Sequence, residues 1–142
     1  MKINKIIFNK IIFAAILIFL GFNCVNAQDL AALSKKAILT ESATCEDIKD
    51  YAPLNPAIVF PISSGKICCF TSFDQVSERT YIFHNWLKAD RLSTKKRLTL
   101  NPPKWATFSS IQLRESDKGP WRVEITDSDG NILQILRFSV TD

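Results

Sequence analysis

The stretch that most constrains the fold is the last one, Gly119–Asp142. Trp121, Val123 and Ile125 alternate with Arg122, Glu124 and Thr126. A period of two belongs to a strand with one apolar and one wet face. Asp127-Ser128-Asp129-Gly130-Asn131 follows, a run of residues that tolerate turn dihedrals. A second strand is predicted from Ile132 to Thr141, with Leu136, Phe138 and Val140 in one phase and Arg137, Ser139 and Thr141 in the other. The two strands form a hairpin, and its apolar face must be buried against another layer. The turn has the acid spacing of a calcium loop but lacks the remaining ligands and the terminal Glu, so a hairpin turn accounts for it.

The rest of the chain repeats this pattern. Lys66–Phe73 is a predicted strand with Ile67, Cys69, Thr71 and Phe73 on one face and Cys68 and Phe70 on the other. Arg79–Lys88, rich in aromatics, reads as a central strand buried on both faces. Thr94–Leu100 and Trp105–Arg114 are further strands, the latter with Ile111 and Leu113 in phase, and Pro102-Pro103 breaks the chain between them. Ala43–Asp50 is a short edge strand. Pro53, Pro56 and Pro61 leave only a brief strand at Ala57–Phe60. About seven strands with almost no helix predict an all-β fold, a single antiparallel Ig-like β-sandwich over residues 43–142.

The start of the chain is of another kind. Lys2, Lys5 and Lys10 flank Ile11–Phe22, an apolar run of 12 residues, and Val25-Asn26-Ala27 supplies the small residues a signal peptidase reads. Residues 1–27 are therefore expected to be a cleaved signal peptide, and the run is short for a membrane span, which needs roughly 20 residues. The alternatives are an uncleaved anchor and lipidation at Cys24. Cleavage removes three of the 18 basic residues and none of the 14 acidic ones, so the net charge falls from +4 to +1. That near-neutral balance excludes the basic footprint of a nucleic-acid binder. Residues 28–42 form a leader, either a short helix on Leu30, Leu33, Ala37 and Ile38 or a segment without fixed structure. The expected location is exported, periplasmic or extracellular.

Four pieces in order resemble the bacterial family catalogued as domain of unknown function 2914: Cys69-Phe70-Thr71, His84-Asn85-Trp86, Pro103–Ser110, and Gly119–Asp127 with Gly130 and Leu133 behind it. Phe108 and Lys104 stand where that family commonly has Trp and Arg. The resemblance covers roughly Cys45–Asp142. It implies an exported, sandwich-like module and names no reaction or ligand. Cys45 and Cys69 match the two cysteines that recur in the family, which implies a Cys45–Cys69 disulfide. Cys68 and Cys69 point to opposite faces of one strand, so only one of them can meet Cys45, and Cys45–Cys68 is the other possible pair. Cys69 followed by Trp86 on the next strand is similar to an immunoglobulin core, with the disulfide partner upstream instead of on a late strand.

Few residues are placed to carry chemistry. His84, the only histidine, lacks metal partners at any recognised spacing, and no metal or cofactor is expected. As a general base it would need a nucleophile such as Ser109 or Ser110 and an orienting acid. Trp86, Trp105 and Trp121 are core residues or a sugar-stacking platform, with Trp105 the best placed for exposure. Lys95-Lys96-Arg97 reads as a solvated hairpin. The expectation is a non-enzymatic binding or accessory module acting on a cell-envelope protein or glycan, with His84, Trp105 and Arg122 as candidate ligand contacts. A small hydrolase using His84, or a structural domain tethered at the membrane, is the alternative.

Overall fold

The computed structural model describes residues 36–142, and they form two β-sheets with no α-helix among them. The expected signal peptide, Cys24 and residues 28–35 of the expected leader lie outside the described residues. The strands are β1 (Ile38–Lys49), β2 (Ala52–Pro56), β3 (Val59–Pro61), β4 (Lys66–Asp74), β5 (Thr80–Lys88), β6 (Arg91–Leu100), β7 (Trp105–Gln112), β8 (Gly119–Thr126) and β9 (Ile132–Thr141). One sheet has the order β2-β1-β4-β7 and the other β3-β9-β8-β5-β6.

The terminal hairpin pairs as its alternation predicts. Trp121 lies opposite Phe138 and Val123 opposite Leu136, on the face toward the other sheet. Asp127 Oδ1 accepts from the backbone N–H groups of Asp129 and Asn131 at 3.0 and 2.9 Å, and Gly130 takes the positive φ of 87° that closes the turn. The acidic spacing there thus serves the backbone. Burial would raise the Asp127 carboxyl, but hydrogen bonds from Lys36 and Asn131 outweigh it and hold the group at about 2.

Between the sheets the core draws on both layers: Phe60, Ile67, Cys69 and Phe73 meet Ile82, Trp86, Trp121, Val123 and Phe138. Phe138 is the hub. It meets Phe60 and Trp86 edge-on, with centroids 5.9 and 6.1 Å away, and stacks on Trp121 at 6.1 Å. Such pairs add roughly 0.5–1.5 kcal/mol each to the area they bury.

The architecture is the β-sandwich that the strand pattern predicts, with three corrections. There are nine strands instead of about seven, because β2 and β3 are too short and proline-bound to show a period. Prolines are tolerated there because both strands are sheet edges, where a missing N–H breaks no ladder. The pairing is not wholly antiparallel: β3 runs parallel to β9. Finally, β1 begins at Ile38, so residues 38–42 belong to the sheet and not to the leader, and β1 is internal because β2 forms the edge beside it. Its polar Thr40-Glu41-Ser42 hides the strand from a hydrophobicity reading, yet Thr40 Oγ1 donates to Ser72 O at 3.0 Å across the β1–β4 ladder.

Candidate binding surface and buried histidine

His84 points into the sandwich from β5 and is 0% exposed. Its Nδ1 lies 2.8 Å from Ser109 Oγ on β7 and its Nε2 3.2 Å from Thr71 Oγ1 on β4. Trp86 Nε1–H donates to the same Ser109 oxygen at 3.0 Å. The cluster joins the five-stranded sheet to the four-stranded one through polar side chains inside an apolar core. A neutral imidazole has one donor and one acceptor nitrogen, and a hydroxyl can answer either, so both tautomers are satisfied. Burial pushes the imidazole down from 6.5 to about 4, because a charged ring has no compensating anion there. Of the two candidate serines, only Ser109 meets His84. Ser110 faces the other side of β7, opposite Cys68. Among the described residues no carboxylate is a hydrogen-bond partner of His84.

Arg122 lies on the opposite face of the five-stranded sheet. Trp121, Val123 and Ile125 point inward, so Arg122 and Glu124 point out, and Arg122 is paired with Glu124 at 2.8 Å and with Asp90. Trp105 opens β7 in the other sheet and is 39% exposed. The structure therefore does not bring His84, Trp105 and Arg122 together. Two of them share a sheet but alternate strand faces, and the third is on the other layer.

Beside the start of β7 is an aromatic recess, which Trp105 borders from the strand's end, its phase being that of its inward-facing partner Phe73. Ile48, Tyr51, Phe70, Trp105, Ala106, Thr107 and Phe108 line a hollow of about 180 Å³ on the four-stranded sheet. Tyr51 is 87% exposed and Phe108 49%. Tyr51 is presented by the β1–β2 turn, where Asp50 and Tyr51 take φ of 52° and 59°. This is the left-handed geometry of a two-residue hairpin turn, usually given to Asn-Gly. Phe108 was legible as a surface aromatic. Ile111 and Leu113 fix the inward phase of β7, and Phe108 is in the opposite phase. Tyr51 carries no such signal, because its exposure follows from the turn.

The other sheet treats its outward aromatics differently. Tyr81 and Phe83 pack edge-on at 5.5 Å, with Lys95 Nζ 4.0 Å over the Phe83 ring centre and the Arg97 guanidinium 3.9 Å over that of Tyr81. The basic run Lys95–Arg97 thus covers an aromatic face of its own chain, and on edge strand β6 it also discourages pairing with another sheet. Among the described residues no cation lies over Tyr51, Trp105 or Phe108.

The expected Cys45–Cys69 pair is not the one the strands bring together. All three described cysteines are free thiols; Cys45 lies opposite Cys68, and Cys69 lies opposite Thr44 with its side chain in the inter-sheet core. Strand alternation separates them, because Cys45 and Cys68 face outward and Cys69 faces inward. Cys69 shares the core with Trp86, as expected. Among the described residues no helix is long and apolar enough to cross a membrane.

Residues 79–140 match the model of a family described as protein of unknown function (DUF2914), which bears out the resemblance in the sequence. No curated protein matches. Among solved structures there is a likeness to the crystal structure of beta-glucosidase from Listeria innocua in complex with glucose. It has 9% identity and a TM-score of 0.46, and covers 75% of this chain and 16% of that one. This chain spans a small part of that protein's length, and a likeness of that size carries no functional argument.

Proposed function

We propose that this DUF2914 chain is an exported, non-enzymatic binding or accessory module of the cell envelope, and that it engages its ligand through the recess of Tyr51, Trp105 and Phe108. The observation that carries this reading is the contrast between the two outward aromatic groups. Tyr81 and Phe83 are capped by cations of the same chain, whereas Tyr51 and Phe108 stand uncovered beside a hollow that Trp105, in the inward phase of β7, borders from the strand's end. Large aromatics left open together on one surface mark recognition sites. A glycan is the favoured ligand. The C–H face of a sugar ring carries partial positive charge and meets the negative face of an aromatic ring. An envelope protein is the second possible occupant.

Against the hydrolase alternative stands the placement of His84. It is sealed from solvent, it faces two hydroxyls instead of an orienting carboxylate, and its low basicity makes it a weak proton acceptor at neutral pH.

Co-sedimentation with purified insoluble envelope glycan, followed by titration with soluble oligosaccharides, tests the proposal. Trp105→Ala and Phe108→Ala are expected to weaken binding tenfold or more with unchanged unfolding midpoints. Binding that survives both substitutions would refute the assigned surface, and binding only to an envelope protein would replace the glycan.

A further inference from the structure

We propose that Cys45 and Cys68 form a disulfide across β1 and β4. The two residues are direct partners in the antiparallel ladder, 23 positions apart in sequence. Residues so paired have Cα atoms roughly 4.5–5.5 Å apart, within the span a disulfide requires. Both side chains leave the same face of the sheet and pack with Phe70 in a cluster separate from the main core, at 0% and 1% exposure. The thiols are also aimed across the strand gap: Cys45 Sγ donates to Cys68 O at 3.8 Å and Cys68 Sγ to Glu46 O at 3.9 Å. Cys69, one residue away, points into the inter-sheet core, where among the described residues there is no second sulfur.

The chemistry requires a disulfide oxidant, R–S–S–R, such as oxidised glutathione or an exported thiol oxidant. Cys68 is the attacking group. A hydrogen bond from Cys45 lowers its pKa below the ordinary thiol value, Lys66 assists, and burial opposes them. Cys45 is shifted the other way, chiefly by the same hydrogen bond and by burial. The Cys68 thiolate attacks one oxidant sulfur and breaks the R–S–S–R bond, and the leaving R–S⁻ takes up a proton. Cys45, deprotonated in turn, attacks Cys68 Sγ and expels the second R–S⁻, which is also protonated. In balance, two protein thiols and R–S–S–R give one protein disulfide and two R–SH. The proposed route of access is local opening of the edge strand β2, whose Pro56 is the ladder partner of Cys45.

The bond would clamp β1 to β4, and so fix the hairpin that holds Tyr51. Closing a loop of this length is expected to raise the folded-to-unfolded ratio on the order of a hundredfold. Occurrence in the cell rests on the export reading; the choice of partners rests on strand register alone.

The test is equilibration of the purified chain in oxidised and reduced glutathione, with refolding from urea, followed by non-reducing peptide mapping. The expected result is one linkage, Cys45–Cys68, with Cys69 alkylated only after unfolding. The urea midpoint should rise on oxidation, and Cys45→Ser or Cys68→Ser should each abolish that rise while Cys69→Ala keeps it. A linkage containing Cys69, a bond from Cys45 or Cys68 to Cys24, or full alkylation of both partners after oxidative refolding overturns the proposal. If the pair forms in the tube but acid-quenched cells yield it reduced, the export reading fails and the pairing stands.

Discussion

Because the chain has a single histidine, the cross-sheet cluster makes a quantitative prediction about pH. Burial holds His84 at about 4 in the folded state against 6.5 in an unfolded chain. The folded value is the lower one, so the unfolded chain binds the extra proton between them, and stability must fall as pH falls through that window. For one proton and these two values the loss between pH 7 and pH 5 is about 2 kcal/mol. Among the carboxylates, the groups with resolved downward shifts are aspartates, whose ordinary value is 3.8, so they act below this window. Urea unfolding at pH 7, 6 and 5 measures the slope directly. His84→Gln keeps one hydrogen bond to Ser109 or Thr71 and cannot titrate, so its stability is expected to be nearly flat over the same range. His84→Ala also loses the slope, and at pH 7 it should cost about 1–3 kcal/mol through the lost hydrogen bonds and the space left behind. Ser109 keeps its bond from Trp86, and Thr71 keeps its contact with Thr107 O at 3.4 Å, so neither hydroxyl is orphaned. A wild-type stability flat from pH 7 to 5, or a slope that survives His84→Gln, would refute the buried, neutral assignment. An Ala variant as stable as wild type would point back to a site instead of a scaffold.

Two further predictions separate core from surface. Phe138→Ala removes the ring that Phe60, Trp86 and Trp121 all contact and should cost about 3–5 kcal/mol by chemical denaturation. Tyr51→Gly should leave stability unchanged or raise it by up to about 1 kcal/mol, because glycine takes the positive φ at Tyr51 without strain. The same change should weaken glycan binding in the sedimentation assay; a loss of stability would mean that the Tyr51 ring supports the fold.

The parts of the fold that were legible share one property: side-chain phase decides which way a residue points. The hairpin β8–β9, the core positions of β4, and the opposition of Cys68 to Cys69 all follow from a period of two, whereas the aromatic density of β5 suggests burial on both faces and the structure leaves Tyr81 and Phe83 half-buried on the outer one. Where polar residues fill a strand that nevertheless joins a ladder, phase says nothing. Thr40, Glu41 and Ser42 are in β1 because β4 pairs with that stretch, β2 reaching only Cys45–Lys49, and no local preference announces it. The short strands β2 and β3 are hidden by their prolines for the same reason.

The candidate site shows where phase reasoning stops and register begins. Alternation correctly separates Cys68 from Cys69, but it cannot say which of them β1 delivers to Cys45. That depends on how far β1 slides along β4, and a slide of one residue would exchange the partner. The ladder pairs Cys45 with Cys68, and it does so beside a register shift between Leu39 and Glu41 that no sequence pattern marks. His84 is the complementary case. Its phase, shared with Ile82 and Trp86, already placed it inward, and register then set Ser109 and Thr71 of the facing sheet against its two nitrogens. A polar group that phase sends into a core must find partners there or destabilise the fold. The inward phase of His84 was therefore itself a signal that the facing strands would supply hydroxyls. Trp105 and Arg122 had no such tie to His84. One lies on the other sheet, and the other lies on the reverse face of its own, so grouping them required an adjacency that neither phase nor pairing provides.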